Sequence, residues 1–126
     1  VLAEGLINLG VIDQTIEEAL DVETGELRKW YMHNTSHWIG LDVHDVGVYK
    51  PNGQPRLLEA GMCLTVEPGL YFGAWRPDVD CPERYANIGI RIEDDVLVTD
   101  SDPVVLTQDC PKTIDDIEAI VGQDWK

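Results

Sequence analysis

All three histidines of the chain, His33, His37 and His44, fall within twelve residues, with Ser36, Asp42 and Asp45 among them. Imidazole beside carboxylate is the usual equipment for holding a divalent metal or moving a proton. A histidine among apolar residues is nevertheless more often a hydrogen-bonded structural residue, so the spacing must say more. His33 and His37 are four apart, which on a helix would place both on one face, as in the zinc peptidase pattern H-E-x-x-H. Here the residue after His33 is Asn34 rather than Glu, and Asn34-Thr35-Ser36 with Gly40 to follow is poor helix material. The stretch therefore reads as extended or looped. On a strand His33 and His37 share a face, and His44 joins them through a bend that Gly40 can supply.

The elements that must position these side chains lie on both sides. Val1, Leu2, Leu6, Ile7 and Leu9 recur at helical steps up to Gly10, as in the last turns of a helix ended by a glycine. Thr15 and Glu18 form a capping box that opens a helix through Leu20, and a polar loop from Asp21 to Gly25 leads into Glu26-Leu27-Arg28-Lys29. Beyond the histidines, Tyr49 to Pro55 is a turn-rich loop. Met62 to Val66 is a strand in which Met62, Leu64 and Val66 point one way and Cys63, Thr65 and Glu67 the other. Glu67-Pro68-Gly69 ends or bends it, and Leu70 to Phe72 resumes it. Taken alone, a glutamate in that place is ordinarily a solvated residue.

Gly73 to Asn87 is an excursion from the sheet. Ile88 to Ile92 is the next strand, with Ile88, Ile90 and Ile92 on one face and Gly89, Arg91 and Glu93 on the other, so that Arg91 and Glu93 stand side by side. Asp94-Asp95 is expected to turn the chain into Val96 to Thr99, although it lacks the glycine such turns favour. Val104 to Thr107 is expected as a further strand, and Thr113 caps a helix with Ile114, Ile117, Ile120 and Val121 on one stripe. This order implies an α+β fold, with helices packed on one face of a mainly antiparallel sheet.

Composition bounds the rest. A chain of 126 residues makes one domain, 1–126, large enough for a core. Its formal charge is -15, from 24 Asp and Glu against 9 Lys and Arg. That balance argues against nucleic acid and anionic membrane as partners, since both require basic patches. No apolar run reaches the length of a membrane span and no signal pattern opens the chain, so a cytoplasmic location is expected. Cys63, Cys81 and Cys110 are odd in number and lack a C-x-x-C pattern, which suggests neither a disulfide framework nor a thiolate zinc site.

Three segments, Ser36 to Gly47, Gly61 to Tyr71 and Gly89 to Asp95, together resemble one family. In order and separation they are similar to the second half of the catalytic domain of Xaa-Pro aminopeptidase, also called aminopeptidase P. Leu106 to Ile120 is similar to that family's closing strand and helix, so the likeness runs over nearly the whole chain. Its Ser-His-Trp form resembles bacterial-type aminopeptidase P more than prolidase or methionine aminopeptidase, which share the fold. The resemblance implies half of a pita-bread (creatinase/aminopeptidase) fold with a curved sheet. It also implies two divalent metals, commonly manganese, held by two Asp, one His and two Glu.

Residue by residue, the resemblance puts the metal-binding imidazole at His37, one carboxylate at Glu67 and the bridging carboxylate at Glu93. It implies that His33 and His44 contact substrate and the tetrahedral intermediate, and that Arg91 supports the ligand network. The implied reaction releases the N-terminal residue from peptides with proline in second position. A donor set of carboxylates with one imidazole suits manganese, iron or cobalt. The family's two Asp ligands lie upstream and have no counterpart here, for Asp13 and Asp21 flank a capped helix rather than a strand. Asn34 and Ala60 are smaller departures, where the family often has Gly and Pro. With three of five ligands the chain alone is expected to hold at most one metal, weakly. Activity is then expected to need an upstream half-domain chain, or a homodimer in which a second copy replaces that half. The alternative is a non-catalytic peptide- or protein-binding module of the same fold.

Overall fold

The apolar steps at the start of the chain form α1 (Leu2–Asn8), which buries Ala3 and Leu6. It stops where expected: Gly10 takes φ +68°, a conformation that costs glycine little, and its amide donates to the Ile7 carbonyl at 2.9 Å. The computed structural model describes residues 1–123. The second helix, α2 (Ile16–Ala19), opens on the expected box, with the Glu18 amide donating to Thr15 Oγ1 at 3.2 Å and the Thr15 amide to Glu18 Oε2 at 2.8 Å. Next, α3 (Leu27–Trp30) delivers Trp30 into the core, its ring 5.1 Å from that of Phe72.

The strands are β1 (Cys63–Val66), β2 (Gly69–Phe72), β3 (Ile88–Arg91), β4 (Asp94–Leu97) and β5 (Val104–Val105), and α4 (Ile114–Ile120) follows. All pairings are antiparallel. They make a three-stranded sheet in the order β1-β4-β5 and a two-stranded sheet of β2 and β3. The chain forms two compact units. In the first, residues 1–35 with 68–91, helices α1 to α3 and the β2-β3 pair enclose a core of Ala3, Leu6, Ile12, Ala19, Trp30 and Phe72. The second, residues 36–67 and 92 onward, holds β1, β4, β5 and α4, and its fully buried side chain is Thr65.

Three local expectations are corrected. Asp94-Asp95 is not a turn: both residues are in β4, opposite Val66 and Thr65 of β1. Without a glycine the pair has no easy route into a tight hairpin turn. Its charge is instead met by Thr107, whose hydroxyl donates to Asp94 Oδ1 at 2.6 Å, and by Lys112 Nζ at 3.1 Å from the same oxygen. The Thr107 hydrogen bond, and after it Lys112, hold the Asp94 carboxyl below its ordinary pKa. The strand expected over Val104 to Thr107 keeps only Val104–Val105. Beyond it the Thr107 side chain, accepting the Asp95 amide at 3.1 Å, replaces a main-chain partner. Finally, the strand around Leu70 does not continue β1, because Pro68 cannot donate to the ladder and β2 pairs in the other sheet.

Candidate metal centre

The site is built around β1. Alternation along this strand sets Thr65 and Glu67 on one side, as the sequence implies. The histidine segment runs alongside: Trp38 bridges to Leu64, and the Thr65 amide donates to the His37 carbonyl at 3.0 Å. The His37 amide in turn donates to Thr65 Oγ1 at 3.1 Å. On the other side of β1, the last pair with β4 is Val66 with Asp94, so Glu67 and Glu93 are the next positions on the two chains. One ligand atom each from His37, Glu67 and Glu93 lies within 4.8 Å of the others. His37 and Glu67 are half-buried and Glu93 is exposed.

The hydrogen bonds of His37 decide which ring nitrogen faces this point. Nδ1 lies 2.9 Å from the Trp38 carbonyl, which can only accept, so Nδ1 carries the proton. Nε2 is then the ring nitrogen that faces Glu67, 3.2 Å from its Oε1. His44 comes to the same unit: its ring meets that of His37 edge-on at 4.4 Å between centroids. The bend that brings it back spans residues 40–44, and Asp45 holds it, accepting the amides of Leu41 at 3.2 Å and Val46 at 2.7 Å. A Cβ at Gly40 would lie 2.0 Å from Asp45 Oδ2, so a larger residue there would have to displace the Asp45 carboxylate that holds the bend.

His33 and Arg91 belong to the first unit. His33 donates through Nδ1 to the Asn34 carbonyl at 2.7 Å, which leaves Nε2 to accept the Tyr71 hydroxyl at 2.9 Å. Arg91 closes β3 opposite Gly69 and is exposed. The structure thus gathers His37, His44, Glu67 and Glu93 in one unit and sets His33 against Tyr71 in the other.

Comparison with known proteins shows the family of the chain. Residues 3–100 match the model of metallopeptidase family M24. The chain belongs to metallopeptidase family M24. It is 45% identical over 121 residues to Xaa-Pro aminopeptidase of Escherichia coli K12, covering 96% of this chain and 26% of that protein. Among solved structures, Pseudomonas aeruginosa aminopeptidase PepP superposes with a TM-score of 0.82 at 44% identity, covering 93% of this chain and 26% of that one. Zinc-substituted E. coli aminopeptidase P in complex with product gives 0.79 at 46% identity, covering 94% and 26%. The fold is therefore the corresponding portion of the α+β pita-bread fold. The chain spans about a quarter of the length of the curated relatives it matches.

As a metallopeptidase family, M24 implies divalent metal ions, and the residues here fit them. Two carboxylates and one imidazole with Nε2 inward make a hard, oxygen-rich set. The Trp38 carbonyl behind His37 fixes the tautomer in the way metal-binding histidines usually require. Two residues that hydrogen-bond to candidate site residues escaped the reading of the sequence, Thr65 and Tyr71. Thr65 could have been found, because alternation already sets it beside Glu67. Nothing local singles out Tyr71, which meets His33 across 38 residues of chain.

Proposed function

We propose that the chain is a C-terminal part of the catalytic domain of an Xaa-Pro aminopeptidase, the enzyme that releases the N-terminal residue from peptides with proline in second position. The observation that carries this reading is the convergence of His37, Glu67 and Glu93 within 4.8 Å, in an M24 chain 45% identical to such an enzyme over nearly its whole length. The three residues would hold their share of a pair of divalent ions, manganese being the proposed metal because the donors are mainly carboxylate oxygens. When bound, such a pair lowers the pKa of water and polarises a carbonyl.

His37 binds through Nε2, with Nδ1 kept on the Trp38 carbonyl. Glu67 takes a proton from the attacking water at its carboxylate and passes it to the leaving proline nitrogen. His44 donates an N–H to the oxyanion that develops on the scissile carbonyl. His33 and Arg91 carry the roles that the family resemblance implies, contact with substrate and support of the ligand network. Alone, the chain supplies three ligands of five, holds at most one ion weakly and depends on an upstream half-domain chain or on a second copy of itself. The free thiols of Cys63, Cys81 and Cys110 support the cytoplasm as its location.

The test is to titrate the chain with manganese and to assay it on a Xaa-Pro-Xaa peptide, alone and mixed with a fragment bearing the family's upstream half. Activity in the mixture only, with the isolated chain slower than an intact enzyme by roughly a thousandfold or more, supports the proposal. Full activity of the chain alone would overturn the incomplete-site reading. Silence in both, with no metal uptake, would point to a binding module instead.

A further inference from the structure

Thr65 is the buried polar side chain among the described residues, with no exposed surface. Its hydroxyl oxygen accepts the His37 amide at 3.1 Å, and its hydroxyl hydrogen is directed to Glu67 Oε1 at 3.3 Å. A hydroxyl has one proton and two lone pairs. With a lone pair taken by the His37 amide, the proton is left for the carboxylate, and one oxygen serves both neighbours at once. A polar group is costly to bury unless it is hydrogen-bonded, and here both of its partners are candidate metal ligands. β-Branching adds to the constraint, because it restricts χ1 and with it the direction of the hydroxyl.

We infer that Thr65 is a positioning residue of the metal centre: it ties the main chain of His37 to the carboxylate of Glu67 and so sets the gap between these two ligands. The inference rests on the metal-centre reading above and deepens it. Valine in this place would fill almost the same volume but leave the His37 amide without its acceptor and Glu67 Oε1 without this donor. Serine would keep both hydrogen bonds and lose only the methyl group. Partners that hold metal ligands from behind are worth about 10- to 100-fold in affinity, which is the size of effect expected here.

The test uses the whole chain as wild type, Thr65→Val and Thr65→Ser, with the fold of each checked by circular dichroism. Manganese affinity is measured by calorimetry, and protection of the His37 amide is measured by hydrogen exchange without metal. Thr65→Val is expected to bind manganese about 10- to 100-fold more weakly and to exchange the His37 amide faster, with Thr65→Ser close to wild type on both readouts. Thr65→Val equal to wild type would overturn the inference, as would Thr65→Ser losing as much as Thr65→Val, because methyl packing would then explain the loss. If the wild-type chain takes up no manganese, the metal-centre reading falls by itself. The exchange measurement still judges Thr65 in that case: unchanged protection in Thr65→Val refutes the tie to His37, and faster exchange upholds it. Should Thr65→Val not fold, Thr65→Cys, of similar volume and weaker in both hydrogen-bonding roles, takes its place.

Discussion

Glu67 and Glu93 flank the last β1-β4 pair and bring ligand atoms to a common point, and carboxylates brought together repel each other. In the proposed metal centre a divalent cation held by both would reverse the sign of that interaction, with His37 Nε2 as the third donor. Removing one charge should therefore weaken the cation's hold much more than it disturbs the strands. Glu93→Gln is expected to lower manganese affinity by roughly tenfold or more, as measured by calorimetry. His33→Ala provides the contrast. Because His33 Nε2 is engaged by the Tyr71 hydroxyl in the first unit, its loss should leave the affinity of the isolated chain unchanged. Equal effects of the two substitutions would refute the assignment of Glu93 as a ligand.

Among the elements, the short helices depend on their ends. With four residues, α2 is too short to persist on propensity, and the Thr15-Glu18 box supplies amide partners that the helix cannot. The Thr15 amide, and after it the Thr15 hydroxyl, donate to the Glu18 carboxylate and lower its pKa. A carboxyl whose pKa is lowered by folding contributes stability above its unfolded value and loses it as pH falls through the folded one. The stability difference between wild type and Glu18→Gln should accordingly be full at neutral pH and vanish on acidification through the range below the ordinary glutamate pKa. Denaturant unfolding at a series of pH values checks this, and a difference that grew in acid would contradict it.

Taken as a whole molecule, the chain concentrates its apolar burial in the first unit, where Leu6 has no exposed surface. Leu6→Ala is expected to cost about 2–5 kcal/mol, the range for a leucine truncated in a packed core. Outside that core large aliphatic side chains stand in solvent. On β3, Ile90 is 61% exposed, and of the stripe expected along α4, Ile114, Ile117 and Ile120 are all exposed, as is Val121, which lies past the end of the helix. Ile90→Thr should therefore change stability by less than about 0.5 kcal/mol, the usual range for a surface position. Thermal unfolding of both variants tests the contrast, and a large loss from Ile90→Thr would mean that this face is covered in solution.

What the sequence determined by itself is what neighbouring residues decide between them. The glycine end of α1, the capping box of α2, the Thr113 cap of α4 and the alternation that sets Thr65 and Glu67 on one side all follow from groups a few residues apart. The tertiary structure decided what depends on distant partners. Asp94 and Asp95 become strand residues because β1 pairs with them and Thr107 and Lys112 meet the Asp94 charge. Thr65 is buried, while Val66 and the isoleucines of β3 are not, because burial depends on what packs against a face and not on its pattern alone. The meeting of His37, Glu67 and Glu93 joins positions separated by 30 and 26 residues. No periodicity spans such intervals; the β1-β4 register and the Trp38-Leu64 bridge close them, and only the family resemblance implied that they would.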